Sequence, residues 1–135
     1  GRPARPVSLV AFSTGAVLMY ACLKELQRLA SSGEAPVAAN LVCDAVLLGA
    51  PLQADNTAKW AELRTLVSGR LVVGYLANDM TLMSYKHRRG FGTLTGVDGL
   101  FEVPGVENIP MRDFITKHVD YAKQMPAILA HIMRC

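Results

Sequence analysis

The chain has 135 residues, 51% of them hydrophobic and 19% charged, with a formal net charge of +3. That length suits one domain and is short for a complete two-layer enzyme. The composition is globular, the mild charge gives no electrostatic case for a nucleic-acid partner, and no apolar run reaches the ~18 residues of a membrane span.

The elements follow in chain order. Residues 7–12, Val-Ser-Leu-Val-Ala-Phe, read as a buried parallel strand. From Gly15 the period becomes helical, with Gly15, Leu18, Met19, Cys22, Leu26 and Leu29 on the expected inner face and Ser31-Ser32-Gly33 as the stop. Residues 43–48 form a second buried strand, closed by Gly49-Ala50-Pro51. Asp55 is the expected cap of a helix carrying Trp60, Leu63 and Val67 as core residues. Residues 70–76 are a third strand, ending at Ala77-Asn78-Asp79. A short helix or loop over 80–87 leads to a basic, solvated loop, Lys86-His87-Arg88-Arg89, expected to be exposed and mobile, with a phospholipid-surface role as the alternative, and then to a glycine-rich stretch, 90–99. Residues 106–109 alternate as an edge strand does, and a last helix carries Tyr121, Met125, Ile128, Leu129 and Ile132, with Pro126 near its start or at a kink. His131 reads as an exposed residue of that helix.

Three cysteines, Cys22, Cys43 and Cys135, form no CxxC pair. A reduced, intracellular setting is the simpler expectation, with Cys22 and Cys43 as small core residues. No metal or cofactor is expected. No signal peptide opens the chain, and its start, Gly1-Arg2-Pro3, reads as a cut from something longer.

Alternating strands and helices predict an α/β fold: a mostly parallel sheet with flanking helices. Chemistry in such sheets gathers at the carboxyl ends of the strands. Ser13 ends the first strand, Asp79 ends the third, and His118 follows the fourth. Ser, Asp, His is the triad order of α/β-hydrolases. A sharp strand-to-helix turn lifts the serine hydroxyl clear of the sheet and sets the Thr14 N–H beside a helix N-terminus, where it can bind an oxyanion. His118 is then the base and Asp79 its orienting carboxylate. The motif Ala11-Phe12-Ser13-Thr14-Gly15 differs from G-x-S-x-G at its first position. Small residues at both ends, Ala11 and Gly15, suit the close packing of strand and helix at such an elbow. Each residue alone has a plainer role: Asp79 can cap a helix or sit in a turn, and His118 can be a surface residue.

The stretches VAFSTGAVLMYACLKEL, DAVLLGAPLQAD, SGRLVVGYLANDMTL, GVENI and HVDYAKQMP occur in this order between Arg5 and Ile132. Together they resemble the eukaryotic family typified by transmembrane and coiled-coil domain-containing protein 4. The resemblance implies a longer parent protein, with membrane-associated segments upstream of an α/β-hydrolase-like domain, and triad positions at Ser13, Asp79 and His118. Residues 1–135 would then be part of that domain, starting near the nucleophile strand and resembling the second half of the hydrolase fold. Earlier strands, and the loop that carries a second oxyanion donor, would lie outside these residues.

Two functions follow as expectations. One is an esterase- or lipase-like serine hydrolase acting on a small-molecule or lipid acyl ester. The other is a non-catalytic hydrolase-like scaffold or membrane-trafficking module. The intact triad set favours the first for the parent protein, while the missing half makes these residues weak or inactive alone. An apolar first strand with an open edge also predicts self-association. A membrane surface is a possible partner through the parent.

Overall fold

Three runs rich in valine and leucine and a fourth, more polar one become four strands: β1 (Val7–Phe12), β2 (Val42–Leu48), β3 (Leu71–Tyr75) and β4 (Val106–Pro110). In the computed structural model, which describes residues 5–133, they form one all-parallel sheet in chain order, β1-β2-β3-β4. Parallel neighbours need crossovers, and helices supply them. The connections contain α1 (Thr14–Ser32), a 3-10 turn (Pro36–Asn40), α2 (Thr57–Leu66), α3 (Met80–Arg89) and the one-turn α4 (Thr95–Asp98), and α5 (Asp120–Ile132) follows β4. The α/β class expected from the sequence is the class observed.

The two faces of the sheet bury different partners. Ala45, Leu47, Leu71 and Val73 point to α1 and α2, against Leu23, Trp60 and Leu63. Val46, Leu48 and Val72 point to the other face, against Tyr121, Ile128 and Ile132 of α5. The two inner strands are covered on both sides, which is why their sequences lack polar alternation. Trp60 is fully buried, as expected of a core residue, and its indole N–H donates to Gln53 O at 3.0 Å. β1 differs. Leu9 and Ala11 pack on the first cluster, but Val10 and Phe12 on the second face are 41% and 40% exposed. The Val7 and Ser13 N–H groups bond to the β2 side. By the two-residue period, residues 8, 10 and 12 turn their N–H groups to the open edge.

Four expectations need correction. The inner face of α1 is Ala16, Met19 and Leu23, while Leu18 is 75% exposed and Cys22 also lies outside. The apolar arc of this helix is wide enough for two phases; the observed one sets Tyr20 on Trp60, with ring centroids 4.9 Å apart. Cys22 is therefore not a core residue, and Cys43 is half-buried; Cys135 lies outside the described residues. Asn56, not Asp55, caps α2, accepting from the Lys59 N–H at 3.2 Å. The basic run is the last turn of α3, not a loop: Gly90 closes the helix at φ 67°, and Lys86 is half-buried in an ion pair with Asp98 at 3.3 Å. Cations complement the carbonyl end of a helix, which favours helix over loop there.

At the amino edge, polar contacts tie elements together. Arg64 donates to the carbonyls of Val67, Gly69 and Gly105, and Arg70 pairs with Glu107 at 2.6 Å. The carboxyl edge holds the candidate site.

Candidate active site

β1 delivers Ser13 to the carboxyl edge, and the chain then turns sharply into α1. Ser13 has φ 53° and ψ −127°, and among the described residues no other non-glycine has a positive φ. Such a conformation costs on the order of 1–3 kcal/mol and persists only where neighbours hold it. Here the Ser13 N–H donates to Leu48 O at 2.9 Å, and Ser13 O accepts from the Ala16 N–H at 3.0 Å. Ala11 and Gly15 face each other across this elbow: a Cβ at Gly15 would sit 3.8 Å from the Ala11 Cβ, an ordinary contact.

The three predicted residues are brought together. Ser13 Oγ lies 2.8 Å from His118 Nε2, and His118 Nδ1 lies 2.6 Å from Asp79 Oδ2. A carboxylate only accepts, so with Asp79 ionised Nδ1 carries the hydrogen and Nε2 is left to accept from the serine hydroxyl. Asp79 is fully buried and the His118 side chain is 11% exposed, so the bond between them is largely shielded from water, while Ser13 is half-buried. Asp79 makes two separate contacts. Its Oδ1 accepts from the Leu82 N–H at 3.0 Å, capping α3, while Oδ2 takes the imidazole. The Thr14 N–H, in the first turn of α1, has no helical acceptor and stands beside the serine.

Two supports were not legible as such. Tyr121 lies edge-on to His118, with ring centroids 5.8 Å apart, and is fully buried. Gly49 makes room for it: at φ 54°, a Cβ there would come within 2.5 Å of the Tyr121 ring. The sequence signal was a glycine ending a strand and an aromatic three positions after the histidine. Among the described residues the Tyr121 hydroxyl has no hydrogen-bond partner within bonding distance; the Gly49 N–H near it donates to Gly74 O at 3.1 Å. Burial first, and then the Asp79 carboxylate, push its phenol far above the ordinary range. An unpartnered buried hydroxyl costs about 1–3 kcal/mol. Tyr121→Phe is therefore expected to raise stability by about 1 kcal/mol in urea denaturation; a loss of stability would mean that the hydroxyl has a partner.

Asp120 secures the turn that carries His118. Its Oδ2 accepts from the Thr116 N–H, the Thr116 hydroxyl and the Lys117 N–H, each at 3.1 Å. The Thr116 N–H above all, and then the other two donors, hold its carboxyl below the ordinary aspartate value of 3.8. A depressed folded pKa gives support that is present above the ordinary value and is lost as pH falls through the folded one. The amide resonances of Thr116 and Lys117 should thus shift together with a midpoint below 3.8. A midpoint at or above that value would remove Asp120 from this role.

A cavity of about 640 Å³ opens between α1, the β2–α2 loop and α3, lined by Tyr20, Leu52, Asp55, Tyr85 and Phe91 among others. None of Ser13, Asp79 and His118 lines it.

A family model described as "Protein of unknown function (DUF726)" matches residues 2–134. The chain belongs to this family. Relatives of this DUF726 chain include "Uncharacterized membrane protein C6F6.13c" of Schizosaccharomyces pombe, 33% identical over 95% of the chain and 16% of that protein. "Probable lipase MIL1" of Saccharomyces cerevisiae is 35% identical over 96% of the chain and 12% of that protein. "Transmembrane and coiled-coil domain-containing protein STS1" of Oryza sativa is 35% identical over 95% of the chain and 18% of that protein. The DUF726 chain thus spans less than a fifth of the length of these three relatives. No solved structure matches it. Among the described residues, no helix is long and apolar enough to cross a membrane.

Proposed function

We propose that this chain carries the nucleophile, base and acid of an esterase- or lipase-like serine hydrolase. The observation that carries the reading is the unbroken series Ser13 Oγ, His118 Nε2, His118 Nδ1, Asp79 Oδ2, built on a serine held at positive φ. Ser13 Oγ attacks the acyl carbon as its proton passes to His118 Nε2, and the Asp79 carboxylate stabilises the imidazolium. The Thr14 N–H takes the oxyanion. The tetrahedral adduct collapses, the alcohol leaves with the proton from Nε2, and an acyl-Ser13 ester remains. Water, deprotonated by the same nitrogen, then releases the acid and restores the serine.

The relative named a probable lipase supports acyl-ester chemistry. The relatives named as membrane proteins, and the rice relative's name in particular, support a longer membrane-associated parent of the transmembrane and coiled-coil kind. In that parent these residues are the later part of an α/β-hydrolase-like domain, and a second oxyanion donor comes from elsewhere. Losing one donor costs about 100- to 1000-fold in rate, so these 135 residues alone are a weak esterase. A second reading, a non-catalytic hydrolase-like module in membrane traffic, draws on the small share of its relatives that the chain covers. A fluorophosphonate probe separates the two: label on Ser13 supports the enzyme, and an unlabelled full-length parent supports the module.

The same reading predicts self-association. Among the described residues one edge of β1 is unpaired, and Val10 and Phe12 of β1 and Val17 and Leu18 of α1 are exposed. Such an edge pairs with whatever strand is available. Light scattering during size exclusion should give a mass above the monomer, and Val10→Lys, which puts a charge beside the open edge, should lower it. A wild-type chain that elutes as a monomer at all concentrations would contradict this.

A further inference from the structure

α3 starts at the carboxylate of the site and ends in a run of cations. Asp79 caps it, so the helix leaves the same edge of the sheet that holds Ser13 and His118. Its inner side rests on Leu82 and Tyr85, packed with Leu94, Val97 and Phe91. Its outer side carries Met80, 71% exposed, and Met83, 42% exposed. His87 and Arg88 follow at helical spacing and are also exposed. Arg89 lies over the Tyr85 ring, 5.3 Å from its centroid, with its charge at the surface. Lys86 alone of the run turns aside, to Asp98. Among the described residues no carboxylate lies within ion-pairing distance of His87, Arg88 or Arg89. Val119, next to His118, is a further exposed apolar residue, at 68%.

Cations at a helix C-terminus answer the carbonyl end of the helix, which accounts for the basic run. It does not account for two methionines on the same outer face, one of them mostly in water. Flexible thioether chains beside unpaired guanidinium groups suit a surface that is anionic at its rim and hydrocarbon beneath. A nucleic acid satisfies the arginines and leaves the methionines in water. We infer that the outer face of α3, Met80, Met83, His87 and Arg88, together with the exposed guanidinium of Arg89 at the end of the helix, is a docking surface for an anionic lipid bilayer. The methionines enter the boundary of the acyl chains, and the arginines meet lipid phosphates. Because Asp79 is the first residue of this helix's cap, docking brings the Ser13–His118 edge to the membrane, where an ester-bearing lipid would be the substrate; that last step rests on the hydrolase reading, whereas docking does not.

The test is co-sedimentation of the full chain with vesicles of phosphatidylcholine alone or mixed with phosphatidylserine, over a range of salt. Binding is expected to the mixed vesicles only and to weaken as salt rises. Each surface cation contributes about fivefold, so Arg88→Gln with Arg89→Gln lowers affinity about 25-fold, while Arg88→Lys with Arg89→Lys retains it. Met80→Gln with Met83→Gln lowers affinity about tenfold and leaves the salt dependence in place. Circular dichroism confirms that each variant is folded, and the lysine pair keeps the charge test valid should the glutamine pair unfold. Absence of binding to the mixed vesicles overturns the proposal, as does binding that neither glutamine pair alters. Salt-dependent binding to duplex DNA, without vesicle binding, overturns it in favour of a nucleic-acid surface. Fluorophosphonate labelling in the absence of lipid reads the hydrolase proposal separately: labelling without vesicle binding removes docking alone, and binding without labelling removes the enzyme alone.

Discussion

Ser13→Ala is expected to leave the chain folded and unable to accept a fluorophosphonate label and, on the hydrolase reading, to lower ester hydrolysis by the longer protein about 10⁶-fold. The loss is this large because the three groups act as one: without Oγ, His118 Nε2 has nothing to deprotonate but water. Stability should move little, since only one side-chain hydrogen bond, at 2.8 Å, disappears. Ser13→Gly should be equally dead and measurably more stable, by about 1 kcal/mol, because glycine adopts a positive φ without the strain a Cβ creates at 53°. Mass spectrometry of the labelled peptide, with urea denaturation of the three proteins, checks both halves. Label retained by the alanine variant would place the nucleophile elsewhere. A glycine variant no more stable than wild type would show that the elbow carries no strain.

Asp79→Asn is expected to lower the labelling rate by about 10⁴-fold while the fold stays intact. The reason lies in the two oxygens. Asparagine can keep an acceptor on the Leu82 N–H, so α3 stays capped, and its amide nitrogen then faces His118 Nδ1. That nitrogen donates, so the imidazole must place its hydrogen on Nε2, where it can no longer accept the serine proton. Asp79→Ala should match the kinetic loss and add about 1 kcal/mol of destabilisation for the missing cap. Labelling kinetics together with thermal denaturation distinguish the two variants. A fully reactive asparagine variant would show that Asp79 is a helix cap and nothing more.

The inner strands were easy to read because burial on both faces leaves the same apolar signature at every position, as in residues 45–48. Ser13, Asp79 and His118 were legible because each follows a strand, and an all-parallel sheet sends every strand end to one edge. The phase of α1 was not, because Leu18 and Leu23 are equally apolar and only the contact of Tyr20 with Trp60 tells inside from outside. Asp55 and Asn56 are both good caps, and spacing cannot choose between neighbours one residue apart. The support of His118 by Tyr121, and of Tyr121 by Gly49, joins residues far apart in sequence through shape alone, and shape leaves no pattern in a single chain.

The strands stand in the sheet in the order in which they are synthesised. Each new strand finds its neighbour already made, so the sheet can be laid down from one side as the polypeptide leaves the ribosome. The chemistry does not follow the same schedule. Ser13 is made with the first strand, Asp79 with the third, and His118 only after the last. On the hydrolase reading, a nascent chain therefore displays its serine with no base beside it, and the hydroxyl stays inert until the segment after β4 docks. On that reading, chain order thus acts as a safety catch: reactivity would appear only on a polypeptide whose sheet is already complete to β4.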